Sequence, residues 1–308
     1  MNIKTVKHNG LSWVNVYNPT NEEIEYLRKT YKFHPLDLKD CTSPAQRPNL
    51  DKYPDYIFMI LLFPVFDKKN REVIPSEVDF FIGQDYLVMV HQNKLAPIVD
   101  LYELCLVNDH AREKYFGDGI EQLLYTMLNS LFLYCYPMLD HIGMDIDQIE
   151  KKIFAGQEKK MVKEILIIRR NITNFRKIMQ THKNVLKKLI DTRNANKHKL
   201  NGLRIYFEEL IEDTKDIWDT LQGFKETIET IQITNESLIS FRINDIVKTL
   251  TVISVLALPI TVVASVFGMN AKHMPFIGNP NDFWILLLIC GSFGAGMIWF
   301  FSRKGMLK

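Results

Sequence analysis

Cysteine is scarce in this chain. Cys41, Cys105, Cys135 and Cys290 lie far apart with no CxxC spacing, so neither a zinc site nor a disulfide framework is implied and scattered reduced thiols are expected. Neither sign of charge prevails: 38 Lys and Arg against 36 Asp and Glu leave a net +2, which gives no reason to expect a nucleic-acid partner. The first sixteen residues, MNIKTVKHNGLSWVNV, contain no apolar core of a cleavable signal peptide. No P-loop, nucleophile elbow or HExxH helix occurs, so neither ATP-driven pumping nor hydrolysis is supported and an enzyme is not expected. Long uncharged apolar runs are also missing, up to about residue 240.

Two such runs then follow. Residues 249–268 and 283–301 carry no charge, and each is long enough to cross a hydrocarbon core of about 30 Å. The competing reading is a pair of buried core helices, but uncharged runs of this length are rare in soluble folds. Arg242 and Lys248 precede the first span and Arg303, Lys304 and Lys308 follow the second, whereas the loop between carries only Lys272 and Asp282. That asymmetry places both termini in the cytoplasm, in an inner (plasma) membrane. Trp284 and Trp299 stand near the two ends of the second span, as an aromatic belt would have them. Two helices enclose no path for water by themselves, so any pore needs several copies around an axis.

Within the first span, positions alternating by three and four from Asn244 share one helical face: Val247, Thr251, Ser254, Leu258, Thr261, Ser265 and Gly268. Apart from Thr249, every hydroxyl of the span lies there. Two readings stay open. Such hydroxyls bond the preceding turn's carbonyls and let neighbouring helices approach closely; they also tolerate water on a channel wall, with Leu258 as an apolar constriction. Pro259 removes one backbone hydrogen bond.

Before the spans, residues 1–118 read as a cytoplasmic α/β domain. Strands are expected at 11–16, 56–66, 78–82 and 86–91, and a helix capped by Thr20 follows the first. Residues 119–248 read as a cytoplasmic helical bundle and stalk, with helices at 121–154 and 159–194 and a third running from 203 into the membrane, about 100 Å if unbroken. Ile217, Leu221, Phe224, Ile228, Ile231 and Leu238 follow a coiled-coil seam, with Asn235 at the intervening position and Gly223 a weak point. Residues 249–308 form the transmembrane domain.

The triplet Gly268, Met269 and Asn270, closing the first of two C-terminal spans, resembles the signature of the CorA family of magnesium and cobalt channels. HPLDLKD at 34–40, Gln46-Arg-Pro48, and Asn244, Leu250, Pro259 and Thr261 are similar to the family's pattern as well, so the resemblance covers essentially the whole chain. It implies an α+β fold: a cytoplasmic α/β domain, a long helical stalk and two C-terminal transmembrane helices, in a funnel-shaped homopentamer among membrane lipids. It further implies a ring of five Asn270 as selectivity filter. Amide oxygens there would hold hydrated Mg2+ through its tightly bound water shell, without demanding dehydration. Read without the family, Asn270 is a left-handed helix cap. The resemblance also implies gating by regulatory Mg2+ bound between subunits at Asp67, in the turn PVFDKKN, and Glu209, in YFEELIED; taken alone, each reads as a solvated surface acid. The run Asp140, Asp145, Asp147 and Glu150 reads as an exposed helix face. Two positions depart from the family. Phe267 stands where Tyr is commoner, and Phe276 replaces a loop Glu, with Lys272 and His273 nearby. These leave Co2+, Ni2+ and Zn2+ open as cargo beside Mg2+. A zinc transporter of the same fold and a membrane-anchored interaction protein are the rival readings.

Overall fold

The computed structural model describes residues 1–43, 46–117, 119–195, 203–269 and 281–304. Internal contacts divide the chain into two compact units, Met1–Gln232 and Ile233–Lys308.

In the first unit, strands β1 (Ile3–His8), β2 (Leu11–Tyr17), β3 (Asn49–Lys52), β4 (Ile57–Asp67), β5 (Glu72–Ile82) and β6 (Tyr86–His91) make one sheet. Their order is β1-β2-β6-β5-β4-β3 among the described residues. Among the described residues, only the β2–β6 pairing is parallel. The expected strand at 11–16 has an unforeseen partner in β1, joined to it through Asn9 and Gly10 at φ 49° and 80°. Asn-Gly supplies the two positive φ values that a tight hairpin turn of matching twist requires. β5 begins six residues earlier than expected, because Pro75 pairs opposite Pro64 and does not end the strand.

Helices α1 (Asn21–Tyr31) and α2 (Pro35–Asp40) cover one face of the sheet. There Leu27, Phe33 and Leu38 close a core with Val14, Val16, Phe58, Ile60, Phe81, Val88 and Val90. α1 starts as expected at Thr20, which forms a reciprocal capping box with Glu23. The other face receives α3 (Ala96–Val107), α4 (Asp109–Phe116) and α5 (Ile120–Leu133). Trp13 meets the Tyr102 ring edge-on at 5.0 Å, and Phe63 meets Phe132 at 5.6 Å.

The two long helices expected at 121–154 and 159–194 are each broken. The first becomes α5 and α6 (Cys135–Phe154), parting at Tyr134. The second becomes α7 (Glu158–Met179) and α8 (His182–Ala195), parting at Gln180 and Thr181. The second break sets His182 at full burial between Phe63 and Phe132, at 5.3 and 5.8 Å. The first break has a local cause: Pro137, in the first turn of α6, has no N–H to donate to the Leu133 carbonyl and its ring clashes with that oxygen, so α5 ends there. The second break contains no Pro, and the 3.6-residue periodicity runs straight through it and hides it.

Helix α9 (Arg204–Phe267) is continuous over 64 residues, through both Gly223 and Pro259. Its seam residues Ile217, Leu221, Ile228 and Ile231 are already buried within their own chain. At these four positions heptad spacing reports packing within the chain, while Phe224 and Leu238 stay half-buried. α10 (Asp282–Arg303) completes the second unit.

Candidate functional site

The C-terminal turns of α9 and the whole of α10 are long and apolar enough to cross a membrane, and they are almost entirely uncovered within the chain. A buried core helix would be covered, so that alternative is set aside. Apolar surface on this scale needs lipid or further copies of the chain against it.

The covered residues of α9 in this region are Val252, Leu256, Pro259, Val263 and Phe267, which recur on one face. On α10 they are Leu286, Cys290, Gly294, Met297 and Phe301, again one face. Pro259, Ile260 and Val263 line a cavity of about 120 Å³ with Ile289, Cys290 and Phe293. Asn244, Val247, Thr251, Ser254, Leu258, Thr261 and Ser265 are all exposed. At 100° per residue this hydroxyl row is roughly opposite the face that meets α10. Each span thus has one face committed to its neighbour in the chain, and α9 keeps its polar face free.

The hydroxyls are oriented by their own helix. Thr251, Ser254 and Thr261 donate to the carbonyls of Val247, Leu250 and Ala257 at 2.7, 2.9 and 2.8 Å. With the proton engaged inward, each oxygen presents only lone pairs outward. Such a surface accepts from water and is favourable to cations.

Gly268 closes α9: its N–H donates to the Ala264 carbonyl at 2.9 Å, and a Cβ there would stand 3.1 Å from that same oxygen. Glycine therefore fits the tight exit, and Met269, mostly exposed, follows it. Asn270 and the loop residues Lys272, His273 and Phe276 lie outside the described residues.

In the first unit, Asp67 ends β4 and organises the turn into β5. Its carboxylate accepts from the Lys69 N–H at 2.9 Å and from the Asn70 side-chain amide at 2.7 Å. The Asn70 side chain, helped by these backbone donors, holds Asp67 below the ordinary carboxylate range. Glu209 is exposed on α9 and lines a groove with Lys187, Asp191 and Glu212. Asp67 and Glu209 share no partner within one chain among the described residues. Asp140, Asp145, Asp147 and Glu150 are exposed on α6, as a solvated face would be.

The HPLDLKD segment has a structural explanation. The His34 ring accepts from the Leu36 N–H at the start of α2, and Pro35 fills the first helical position. Burial raises Asp37 above the usual carboxylate range, against the hydroxyls of Tyr53 and Tyr56, which both donate to it at 2.9 Å. Beside it, Glu77 accepts from the Gln46 N–H, which ties the Gln46-Arg-Pro48 segment to β5. Burial and then the adjacent Glu77 push Asp79 well above its ordinary value, and burial likewise raises Glu77. The pair is thereby arranged to hold a proton. Residue types alone could not disclose this, because two carboxyls at i and i+2 look like any exposed strand face.

Against known proteins, the description "CorA-like Mg2+ transporter protein" matches over residues 8–303. The chain belongs to the CorA family. Among relatives of the family, the cobalt/magnesium transport protein CorA of Thermotoga maritima is 24% identical over 298 residues, covering 96% of this chain and 83% of that one. Among solved folds, the complete CorA magnesium transporter of Methanocaldococcus jannaschii superposes with a TM-score of 0.83 at 23% identity, over 99% of this chain and 94% of that one. The cytoplasmic domain of ZntB from Vibrio parahaemolyticus superposes at 0.54 with 11% identity, over 75% and 88%. CorA-family membership makes this chain a membrane transporter with a mixed-sheet soluble domain, a long helix and two apolar spans.

Proposed function

We propose that five copies of this chain assemble around an axis lined by the hydroxyl row of α9, forming a channel that admits hydrated Mg2+, and Co2+ with it, into the cytoplasm. The observation that carries this reading is the disposition of α9: α10 lies against one face, and the face bearing Thr251, Ser254, Thr261 and Ser265 is left free. A mere anchor has no use for an uncovered polar face at membrane depth, whereas a conduit needs one. Asn270, next after Gly268 and Met269, supplies the filter ring at the outer mouth. The row then continues through Leu258 as an apolar constriction towards Val247 and Asn244. Both termini face the cytoplasm, on the basic flanks of the spans.

Asp67 and Glu209 serve as the regulatory metal pair, meeting across the boundary between neighbouring copies. Two carboxylates facing each other repel when empty, and bound Mg2+ removes the repulsion, so the closed assembly is favoured when cytoplasmic Mg2+ is abundant.

The test is flux into liposomes with Mg2+, Co2+, Ni2+ and Zn2+ compared, with and without a proton gradient, alongside mass in detergent. A pentamer that passes Mg2+ and Co2+ down their gradients supports the reading, and Asn270→Ala should abolish flux while leaving the pentamer intact. A monomer without flux would establish the anchor instead; flux confined to Zn2+, or dependent on protons, would establish a zinc transporter.

A further inference from the structure

The turn that carries Asp67 is not a free surface loop. Four side chains of one face of α7 grip the start of β5 at residues about a hundred positions away in sequence. Arg71 forms a two-pronged ion pair with Glu164, Nη1 to Oε1 at 3.1 Å and Nη2 to Oε2 at 2.6 Å. Arg170 donates to the carbonyls of Asn70 and Arg71 at 3.3 and 3.1 Å. Asn171, almost wholly buried, accepts from the Val73 N–H at 3.2 Å and donates to the Arg71 carbonyl at 3.1 Å. Asn174 donates to the Val73 carbonyl at 3.1 Å. Arg71 itself is at φ 52°, a left-handed conformation that non-glycine residues rarely adopt and that this grip holds in place.

Asn70 is the hinge between the two halves of this network. Its side chain holds the Asp67 carboxylate and its carbonyl is held by Arg170. Further along, α7 also holds α9. Arg169 donates to the Gln232 side chain at 3.2 Å, and the Arg176 guanidinium lies 4.6 Å above the ring of Trp218. One helix thus touches both the Asp67 turn and the long helix whose last turns carry the hydroxyl row.

We infer that Arg71, Glu164 and Asn171 are positioning residues for metal sensing: they lock the Asp67 turn to α7, so that metal bound at Asp67 acts on α9 of the same chain through α7. This rests on the reading of Asp67 as a regulatory ligand. It adds a path inside each copy to the contact between copies. Packed elements and hydrogen-bonded networks of this kind have discrete arrangements, which is what lets a small displacement at a ligand be felt at a distance.

The ion pair is accessible enough for substitution without loss of the fold, with side chains 51% and 30% exposed. Arg71→Gln and Glu164→Gln should each raise the Mg2+ concentration that half-inhibits liposome flux by about two- to fivefold, the range of a partly exposed ion pair. Flux at low Mg2+ and pentamer mass should be unchanged. The two substitutions alter local charge in opposite senses, so simple attraction of Mg2+ would shift them in opposite directions, whereas a lost coupling shifts both upward. The exchanged pair Arg71→Glu with Glu164→Arg should restore the original value. Opposite shifts, or no shift in either variant while Asp67→Asn does shift the value, would overturn the coupling and leave Asp67 as sensor. No shift with Asp67→Asn would overturn the sensor reading itself, and the coupling with it.

Discussion

Single residues here act mainly through what burial does to their polar atoms. His91 and His182 show it best. Burial lowers both to about 4, from an ordinary value of 6.5. His91 is fixed as the neutral tautomer that donates to Asn15 Oδ1 at 2.8 Å and accepts from the Asn93 N–H at 3.0 Å. Below pH 6.5 the unfolded chain takes up protons that the folded chain refuses, so these residues draw stability down as pH falls from 6.5 towards 4. Each draws off about 3 kcal/mol over that interval. Glu77 and Asp79 have raised values and oppose this trend, because their protonated forms suit the fold as pH falls. A single variant separates the effects. His182→Leu should flatten the loss of stability between pH 6.5 and 4 by about 3 kcal/mol relative to the natural chain, measured by urea unfolding of the whole protein in detergent followed by far-UV circular dichroism. Equal slopes for both proteins would refute the assignment of that loss to His182.

Elements are joined by contacts that residue type foreshadows only in part. Gly143 in α6 is such a case: a Cβ there would stand 3.3 Å from Cζ of Phe224 on α9. The missing side chain lets the two helices pack with Phe224 seated against bare backbone. Gly143→Ala gains about 1 kcal/mol in helix propensity, which offsets the tight contact, so stability should hardly change. Gly143→Val adds bulk without a comparable gain in propensity and should cost about 1–3 kcal/mol, as overpacking does. Thermal melting of the two variants side by side checks this; a melting point for the Val variant equal to that of the Ala variant would mean that Phe224 moves aside freely.

At the scale of the whole molecule, the single chain is incomplete. The spans and the hydroxyl row are exposed in it, and in the proposed channel the conduit forms only where copies meet. In the proposed pentamer, Leu258, 65% exposed in one chain, would be one of five leucines facing the axis. Rings of apolar side chains close narrow passages by expelling water. Leu258→Ser should therefore raise Mg2+ leak under inhibiting Mg2+ by about tenfold, since water and its ions would enter a constriction that apolar walls keep dry. Stopped-flow Mg2+ uptake into liposomes measures it, and an unchanged leak would place the constriction elsewhere.

The two spans, the hydroxyl face and the continuous α9 were legible from residue order alone, because each depends on neighbours three or four positions away. The membership in the CorA family was legible for a similar reason, in a local triplet set at the end of a span. The hairpin of β1 was also present in the sequence, in the Asn-Gly pair, though the pattern of its strand is too polar to stand out. What only the tertiary structure decided depends on residues distant in the chain. The parting of α7 from α8 interrupts no periodicity and carries no Pro, whereas that of α5 from α6 is marked locally by Pro137. Four positions of the heptad-like seam of α9, Ile217, Leu221, Ile228 and Ile231, proved to be buried inside their own chain. The grip of α7 on the Asp67 turn joins residues 93 to 102 positions apart. Local spacing fixes which face of a helix is apolar or polar, but which surface that face will meet is set by long-range packing, and no local pattern encodes it.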